Sequence, residues 1–289
     1  MKNVLKQIEQ FYSSFSKGQK KIADYIINQY DKAAYITAAK LGKEVDVSES
    51  TVVRFAVTLG YEGFPELQSA LREIIKTKLT ALQRFEILSD KMNNEDVLTK
   101  IMSGDISKLK VTMENLNRDD FDGSVDAILK AKTIYILGVR SASSLASFMG
   151  FYFNLLFDNV KIVQTTSISE VFEQILRVGE NDVVIGITFP RYSRRTVKAL
   201  EYAKSRNAAV VAITDTSKSP IVPYSDYKLY AKNDTASFVD SLVAPMSIIN
   251  ALIAALGMQK KEETSTIFNK LEKIWEQYDV YNKEHSDEW

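Results

Sequence analysis

Two short segments of the sequence place hydroxyl and guanidinium groups directly after apolar runs. The segment 138–144 (GVRSASS) follows the apolar run 133–138, and the segment 188–196 (TFPRYSRRT) follows the apolar run 182–188. Hydroxyls and backbone N–H groups at the start of a helix bind anions, and arginine adds charge-assisted hydrogen bonds. Together the two segments predict a binding site for a phosphorylated or otherwise anionic small ligand.

The candidate ligand-binding residues are the arginine, serine, threonine and tyrosine side chains of these segments: Arg140, Ser141, Ser143, Ser144, Thr188, Arg191, Tyr192, Ser193 and Arg194. A second interpretation is that the serines cap helices and the arginines are solvated. Helix capping is the favoured role for Ser141 and Ser193, although one hydroxyl can serve both purposes. A functional role is favoured for Arg140, which follows a strand-ending glycine.

A third polar segment lies near the N-terminus. Two predicted short helices are joined by the four-residue turn 45–48 (VDVS), a spacing that matches a helix-turn-helix. We expect Ser48 to cap the second helix and Val47 to pack between the two. The candidate DNA-binding residues lie on the first helix and at the start of the second, where a recognition helix meets bases and phosphates: Lys40, Lys43, Ser48, Glu49, Ser50, Thr51 and Arg54.

Charge alone does not decide between DNA binding and a plain helical bundle for this region. Residues 1–77 carry 11 Lys+Arg against 9 Asp+Glu, a weak positive footprint for a DNA-binding domain. Over the whole chain 37 Lys+Arg balance 37 Asp+Glu. A neutral sum can hide a local basic patch, so a nucleic-acid partner stays open.

Composition excludes several kinds of chemistry. The chain has 289 residues, no cysteine and a single histidine, His285. It therefore lacks the residues for disulfides, thiolate zinc sites or thiol catalysis, and a Ser-His-Asp triad or two-histidine metal site is not expected. We predict no catalytic residue, no metal and no cofactor. No run approaches the ~20 apolar residues of a membrane span and the N-terminus is polar, so we expect a soluble, cytoplasmic protein with no membrane partner.

The elements that must position these segments change character along the chain. Residues 1–77 have the periodicity of short helices, and residues 79–131 are also helical. After Lys132 five short apolar runs alternate with helical segments, which is typical of a parallel sheet covered on both faces. The predicted fold is an all-α helix-turn-helix domain followed by an α/β domain with a parallel five-stranded sheet flanked by helices.

The helical stretch before the sheet carries apolar residues at spacings of three and four. They are Leu98, Met102, Ile106, Leu109, Met113 and Leu116. Ordinary packing against the domain and a dimer interface both explain this pattern, and the sequence does not separate them.

The N-terminal region resembles the DNA-binding domain of RpiR-type bacterial transcription regulators. The resemblance lies in residues 15–26 (FSKGQKKIADYI), 47–55 (VSESTVVRF) and 59–64 (LGYEGF), which occur in the family's order and spacing. The family's usual glycine in the turn is Asp46 here, a residue that tolerates left-handed backbone geometry better than most. Gly42 stands where the family tends to have alanine, a small helix-weakening change.

The C-terminal half resembles the SIS (sugar isomerase) domain over roughly residues 105–258, and this domain follows the helix-turn-helix in the RpiR family. The SIS pattern has Gly-x-Gly-x-Ser after its first strand. Here Gly138 matches the first glycine, Arg140 replaces the second, and Ala142 stands at the serine. Thr214 and Asp215, after the fourth predicted strand, also fit the family.

The second SIS motif, Ser-x-Ser-Gly-x-Thr after the third strand, is also altered. Thr188 and Ser193 match its outer hydroxyls, whereas Pro190 and Arg191 replace the central Ser-Gly. The two motifs together lose two hydroxyls and gain two arginines, which allows a ligand that is more acidic or differently shaped than an ordinary sugar phosphate.

The two resemblances predict a domain plan. Residues 1–78 form the helix-turn-helix DNA-binding domain, 79–118 a helical connector, 119–260 the SIS ligand-sensing domain, and 261–289 a C-terminal helix and tail. The resemblance implies a regulator whose binding to a double-stranded operator is modulated by a sugar phosphate or related anionic metabolite. It also implies a homodimer or homotetramer and control of carbohydrate-metabolism genes, with repression among the expected modes.

Two other function classes remain open at this stage. A sugar-phosphate isomerase with an accessory helical domain would need a catalytic base, and the segment after the fifth predicted strand offers only Asp234, while His285 lies far away in sequence. A metabolite-binding adaptor for a protein partner is the third class. Turnover of sugar phosphates would favour the isomerase. Absence of both turnover and DNA binding would favour the adaptor.

Overall fold

The computed structural model describes residues 4–78, 96–164, 167–233 and 239–281. The chain divides into two compact units, Met1–Ile87 and Leu88–Trp289, and each is described here by itself. The domain boundaries predicted from sequence remain a prediction.

The first unit is helical throughout its described residues. Its helices are α1 (Val4–Phe11), α2 (Lys17–Asn28), α3 (Tyr30–Ala33), α4 (Ala38–Glu44), α5 (Glu49–Thr58) and α6 (Phe64–Lys78). Three of them start at a hydroxyl residue, Ser16, Thr37 or Ser48, whose side chain accepts a backbone N–H of the first turn. Fully buried side chains from several helices form the core, among them Ile22, Leu41, Val52, Phe55 and Leu67.

Helix α6 begins earlier than the sequence suggests. The sequence pattern treats Pro65 as a terminator and places the helix start near Glu66, but the helix starts at Phe64 and contains Pro65 in its first turn. A proline is tolerated there because the first N–H groups of a helix have no intrahelical partner.

The second unit alternates helices and strands. Its helices are α7 (Val97–Asn115), α8 (Arg118–Lys130), α9 (Ala142–Leu156), α10 (Ile168–Gln174), α11 (Arg194–Ser205), α12 (Val243–Gln259) and α13 (Lys261–Gln277). Its strands are β1 (Thr133–Gly138), β2 (Val160–Val163), β3 (Asp182–Ile187), β4 (Ala209–Thr214) and β5 (Tyr227–Tyr230).

The strands form one parallel five-stranded sheet in the order β2-β1-β3-β4-β5. Both faces of the sheet are buried: Ile134 and Ile136 of β1 lie in one apolar cluster, and Tyr135 and Leu137 in another. Strands buried on both faces read as near-continuous apolar runs, which is the pattern that predicted this fold class. The predicted fold class is confirmed.

Helix α7 packs against the sheet domain on one side only. Leu109 and Leu116 lie against the core cluster, whereas Leu98, Met102, Ile106 and Met113 are 66%, 57%, 66% and 74% exposed. Among the described residues, no single helix is long and apolar enough to cross a membrane. Helices α12 and α13 pass that test only as a pair bent by 100°, and α12 contributes six buried residues to the domain.

Candidate DNA-binding and effector-binding sites

The turn between α4 and α5 contains one residue in left-handed geometry. Asp46 has φ 54°, so the prediction that this aspartate takes the place of a glycine is confirmed. Its carboxylate lies 3.1 Å from the Lys21 ammonium of α2, an ion pair open to solvent. The turn is thus tied to a neighbouring helix by the residue that carries its strain.

Gly42 has a packing role that the sequence did not reveal. The backbone N–H of Val47 donates to the Gly42 carbonyl at 2.8 Å, which brings the turn close against α4. A Cβ on residue 42 would lie 2.7 Å from the carbonyl oxygen of Val47. The sequence interpretation of Gly42 as merely helix-weakening was incomplete, because an alanine here would require the turn to move away from α4.

The start of α5 is a cluster of hydroxyls. Ser48 accepts the Thr51 N–H at 3.3 Å, as predicted for the cap, and its hydroxyl lies 2.9 Å from that of Ser50 and 2.8 Å from that of Thr51. One turn on, Arg54 donates from Nε to the Ser50 carbonyl at 3.3 Å, which orients its guanidinium along the helix. Exposed hydroxyls and one oriented guanidinium at a helix start can bond to phosphate oxygens and to base edges.

The predicted DNA-binding residues are accessible on this unit. Thr51 is half-buried, and the others are exposed, namely Lys40, Lys43, Ser48, Glu49, Ser50 and Arg54.

In the second unit, the strand order creates a topological switch point at the carboxyl ends of β1 and β3. Strand β1 has β2 on one side and β3 on the other, so the connections after β1 and β3 leave in opposite directions. Ligands of open α/β sheets bind at such a switch point, beyond the carboxyl ends of the strands. Gly138 at the end of β1 pairs with Ile187 at the end of β3, so the two candidate segments start side by side.

The loop after β1 is tightly built. A Cβ on Gly138 would lie 2.4 Å from the Ala142 carbonyl oxygen, so this glycine lets the first turn of α9 lie on the strand end. Arg140 is exposed and has φ 58°. The hydroxyl of Ser143 donates to the Arg140 carbonyl at 2.6 Å, which helps to hold that backbone shape.

The helix-capping prediction for Ser141 is wrong. The residue has helical backbone angles and its side chain makes no capping bond. Its hydroxyl instead donates to the Asp240 carboxylate at 2.8 Å, 99 residues away in the chain. The tight Gly138–Ala142 approach winds the backbone into the helix already at Ser141, so the side chain is free to reach the loop before α12.

The loop after β3 has the same features. Arg191 is exposed with φ 68°, and Thr188 accepts the Ser193 N–H at 3.1 Å. Ser193 caps α11 by accepting the Thr196 N–H at 3.5 Å, as predicted. Tyr192 donates its hydroxyl to the Asp215 carboxylate after β4 at 2.8 Å.

Among the described side chains at the ends of β1 and β3, the donors that remain free are therefore mainly guanidinium groups. Arg140, Arg191 and Arg194 are exposed, and within the described ranges their side chains make no hydrogen bond or ion pair. Ser144 is also exposed, but Ser141, Ser143 and Tyr192 already donate within the protein. An anion arriving here would meet arginine donors first.

Helix α7 is bonded to both ends of the connection between β5 and α12. The Lys232 N–H donates to the buried Thr112 hydroxyl at 2.8 Å, and the Ser241 hydroxyl donates to Asp105 at 2.7 Å. Burial raises the pKa of Asp105, but the hydrogen bonds from Ser241 and Lys108 outweigh this and leave the pKa below its ordinary value.

Sequence reasoning missed these two anchors and the Asp240 partner of Ser141. Each joins positions about 100 residues or more apart, and no local spacing signals such a pair. The candidate bases Asp234 and His285 lie outside the described residues.

Family comparisons match both units. The helix-turn-helix domain of the rpiR family matches residues 2–78, and the SIS domain matches residues 127–255. The curated relatives are similar over nearly the whole chain. An HTH-type transcriptional regulator of Haemophilus influenzae is 28% identical over 269 residues, covering 90% of this chain and 92% of the relative. One of Clostridium perfringens is 24% identical over 279 residues, covering 92% and 99%.

Solved structures share the fold. The sugar isomerase domain of an RpiR transcription factor from Sphaerobacter thermophilus is 23% identical, with TM-score 0.58 over 62% of this chain and 99% of that one. The Vibrio vulnificus NanR protein, complexed with ManNAc-6P, is 18% identical, with TM-score 0.58 over 94% of this chain and 98% of that one.

A helix-turn-helix unit followed by a SIS unit defines a class of transcriptional regulators, and the relatives named above are HTH-type transcriptional regulators. The chain carries the helix-turn-helix domain of the rpiR family followed by a SIS domain, which is the plan of this class.

Proposed function

We propose that the start of α5 reads a double-stranded operator, and that an anionic sugar phosphate bound beyond β1 and β3 modulates this binding. The observation that carries the effector site is the pair of exposed arginines, Arg140 and Arg191, on adjacent loops at the switch point, whose side chains bond to none of the residues that the structure describes. The NanR structure, whose fold is similar, holds ManNAc-6P, which supports a sugar phosphate as the effector class.

Modulation requires that the effector prefers one of two arrangements of the protein. An effector shifts operator binding only by its difference in affinity between those arrangements. With an effector of this class we expect control of carbohydrate-metabolism genes, and with chromosomal DNA as the partner we expect a cytoplasmic protein.

The DNA-binding part is tested by Arg54→Ala. Genomic fragments recovered on the purified protein supply the DNA for a gel-shift assay. Loss of the oriented guanidinium is expected to weaken binding about ten- to a hundredfold. Lys32→Ala, which removes an equally exposed positive charge from α3, is the matched control and is expected to cost much less. Equal effects of the two substitutions would contradict the assignment of α5 as the recognition helix.

A homodimer or homotetramer is part of the proposal. A palindromic operator is bound by a two-fold symmetric protein. The exposed apolar side chains of α7 support this, because contiguous exposed apolar surface marks interaction sites. Ile106→Glu is expected to reduce the mass measured by light scattering, and an unchanged mass would exclude α7 as the interface.

A further inference from the structure

In each of the two loops at the proposed effector site, an arginine has a strained backbone conformation. Arg140 (φ 58°) and Arg191 (φ 68°) lie in the left-handed region, which disfavours residues with a Cβ. Glycine would adopt these angles without strain. Strained residues that persist at a site point to a function that needs the side chain.

The neighbourhood of these arginines is short of other free donors. Ser141 and Tyr192 donate to Asp240 and Asp215, and Ser143 donates to a backbone carbonyl. The arginine side chains make no such bond within the described part of the chain. The donors left for a ligand are therefore mostly cationic, and they stand on two separate loops.

Their separation bears on the shape of the ligand. Gly138 and Ile187 are paired across strands that lie about 4.8 Å apart, and each loop leads into its own helix, α9 or α11. A phosphate that binds at the start of one of these helices would occupy the arginine of that loop, and the arginine of the other loop would then be available for a second anionic group. Arginine binds carboxylate and phosphate equally well through its planar pair of donors.

We infer that Arg140 and Arg191 are specificity-determining residues that select an effector with two separated anionic groups, a sugar phosphate that also carries a carboxylate or a second phosphate. This inference rests on the proposed effector site and narrows its ligand class.

The test compares matched ligands by titration calorimetry on the full chain. Glucose 6-phosphate and 6-phosphogluconate differ by a carboxylate, and fructose 6-phosphate and fructose 1,6-bisphosphate differ by a phosphate. The doubly anionic member of at least one pair is expected to bind at least tenfold more tightly than its partner. The pair that shows the difference indicates whether the second anionic group is a carboxylate or a phosphate.

Glycine substitutions add a readout that a merely structural role would not give. Arg140→Gly and Arg191→Gly are each expected to raise Tm by about 2 °C, because strain is relieved, and to weaken the doubly anionic ligand about tenfold. Binding of the singly anionic partner should change less than threefold. Asn207→Gly is the matched control: Asn207 has φ 61° before β4, at the opposite end of the sheet, so it should raise Tm without affecting binding.

Each contrary outcome has its own meaning. If the two members bind equally tightly in both pairs, the inference is overturned, but the proposed function is not affected. Unchanged affinity of the glycine variants for the doubly anionic ligand does the same. Absence of binding by all four ligands overturns both the inference and the sugar-phosphate effector.

Discussion

Left-handed backbone occurs in both units, but its surroundings differ. In the helix-turn-helix unit, contacts within the unit compensate the strain at Asp46: its carboxylate pairs with Lys21, and the turn beside it fits against Gly42. In the sheet unit, Arg140 and Arg191 are strained with side chains that no described residue engages. In the first unit the strained residue is bonded within the protein, whereas in the second unit the strained arginines are the ones to which the proposed effector site assigns an anionic ligand.

The largest expected effect breaks the first half of this comparison. Gly42→Ala puts a Cβ 2.7 Å from the Val47 carbonyl, and both clashing atoms belong to or lie on rigid backbone. We expect a loss of about 2 kcal/mol in the free energy of unfolding of this unit, measured by urea denaturation.

Gly18→Ala in α2 is the control for that experiment. Its Cβ would meet Val47 and Thr51 at 3.5 and 3.6 Å, which is ordinary contact. Because alanine is the better helix former, the change should be neutral or stabilising. Equal destabilisation by both variants would show that the turn does not depend on the close approach at Gly42.

A smaller effect tests a locally compensated charge in the sheet unit. Asp105→Asn removes the ion pair with Lys108, whose two side chains are only 21% and 14% exposed, and should cost about 1 kcal/mol at neutral pH. The pKa of Asp105 is lowered in the folded protein. Its stabilising contribution is therefore complete above the ordinary pKa and is lost as the pH falls through the folded pKa.

The pH series for this prediction compares the variant with the wild type by urea denaturation. The difference in the free energy of unfolding should shrink as the pH falls below about 4. Asp126→Asn, which removes an exposed pair with Lys130, is the control and should change little at any pH. A difference for Asp105→Asn that does not depend on pH would contradict the ionic account.

The smallest expected effect sharpens the comparison itself. Asp46→Gly relieves strain but also removes the ion pair with Lys21, so its gain in Tm should be smaller than that of Asn207→Gly. Thermal melts of the two variants check the ranking. A gain from Asp46→Gly as large as that from Asn207→Gly would mean that the Lys21 pair compensates nothing.

The parts of the structure that were predictable from sequence follow local rules. Near-continuous apolar runs between helical segments predicted the strands, Ser48 and Ser193 were recognised as caps, and Asp46 was recognised as a residue that tolerates left-handed geometry. Such features depend on a few neighbouring residues, so their signal is contained in the sequence pattern.

What was not predictable depends on contacts between distant segments. Ser141 has the sequence of a cap but bonds to Asp240, and the space that makes Gly42 necessary exists only once the turn has folded back. Arginine does not itself favour the left-handed geometry of Arg140 and Arg191, and the signal that could have predicted it is the glycine of the SIS motif that each arginine replaces. The side-by-side start of the two candidate loops thus follows from the predicted parallel sheet, whereas the hydrogen bonds that arrange these loops were not predictable.

Helix α7 is linked by hydrogen bonds to the segment that contacts the proposed effector site. Its anchors Asp105 and Thr112 are seven residues apart, about two helical turns, and so lie on one side of the helix. They accept hydrogen bonds from the two ends of the connection between β5 and α12. Asp240, next to the bonded Ser241, accepts a hydrogen bond from Ser141 at the proposed effector site. Helix α7 has 19 residues, so a displacement of Lys232 or Ser241 would act on an element of about five helical turns.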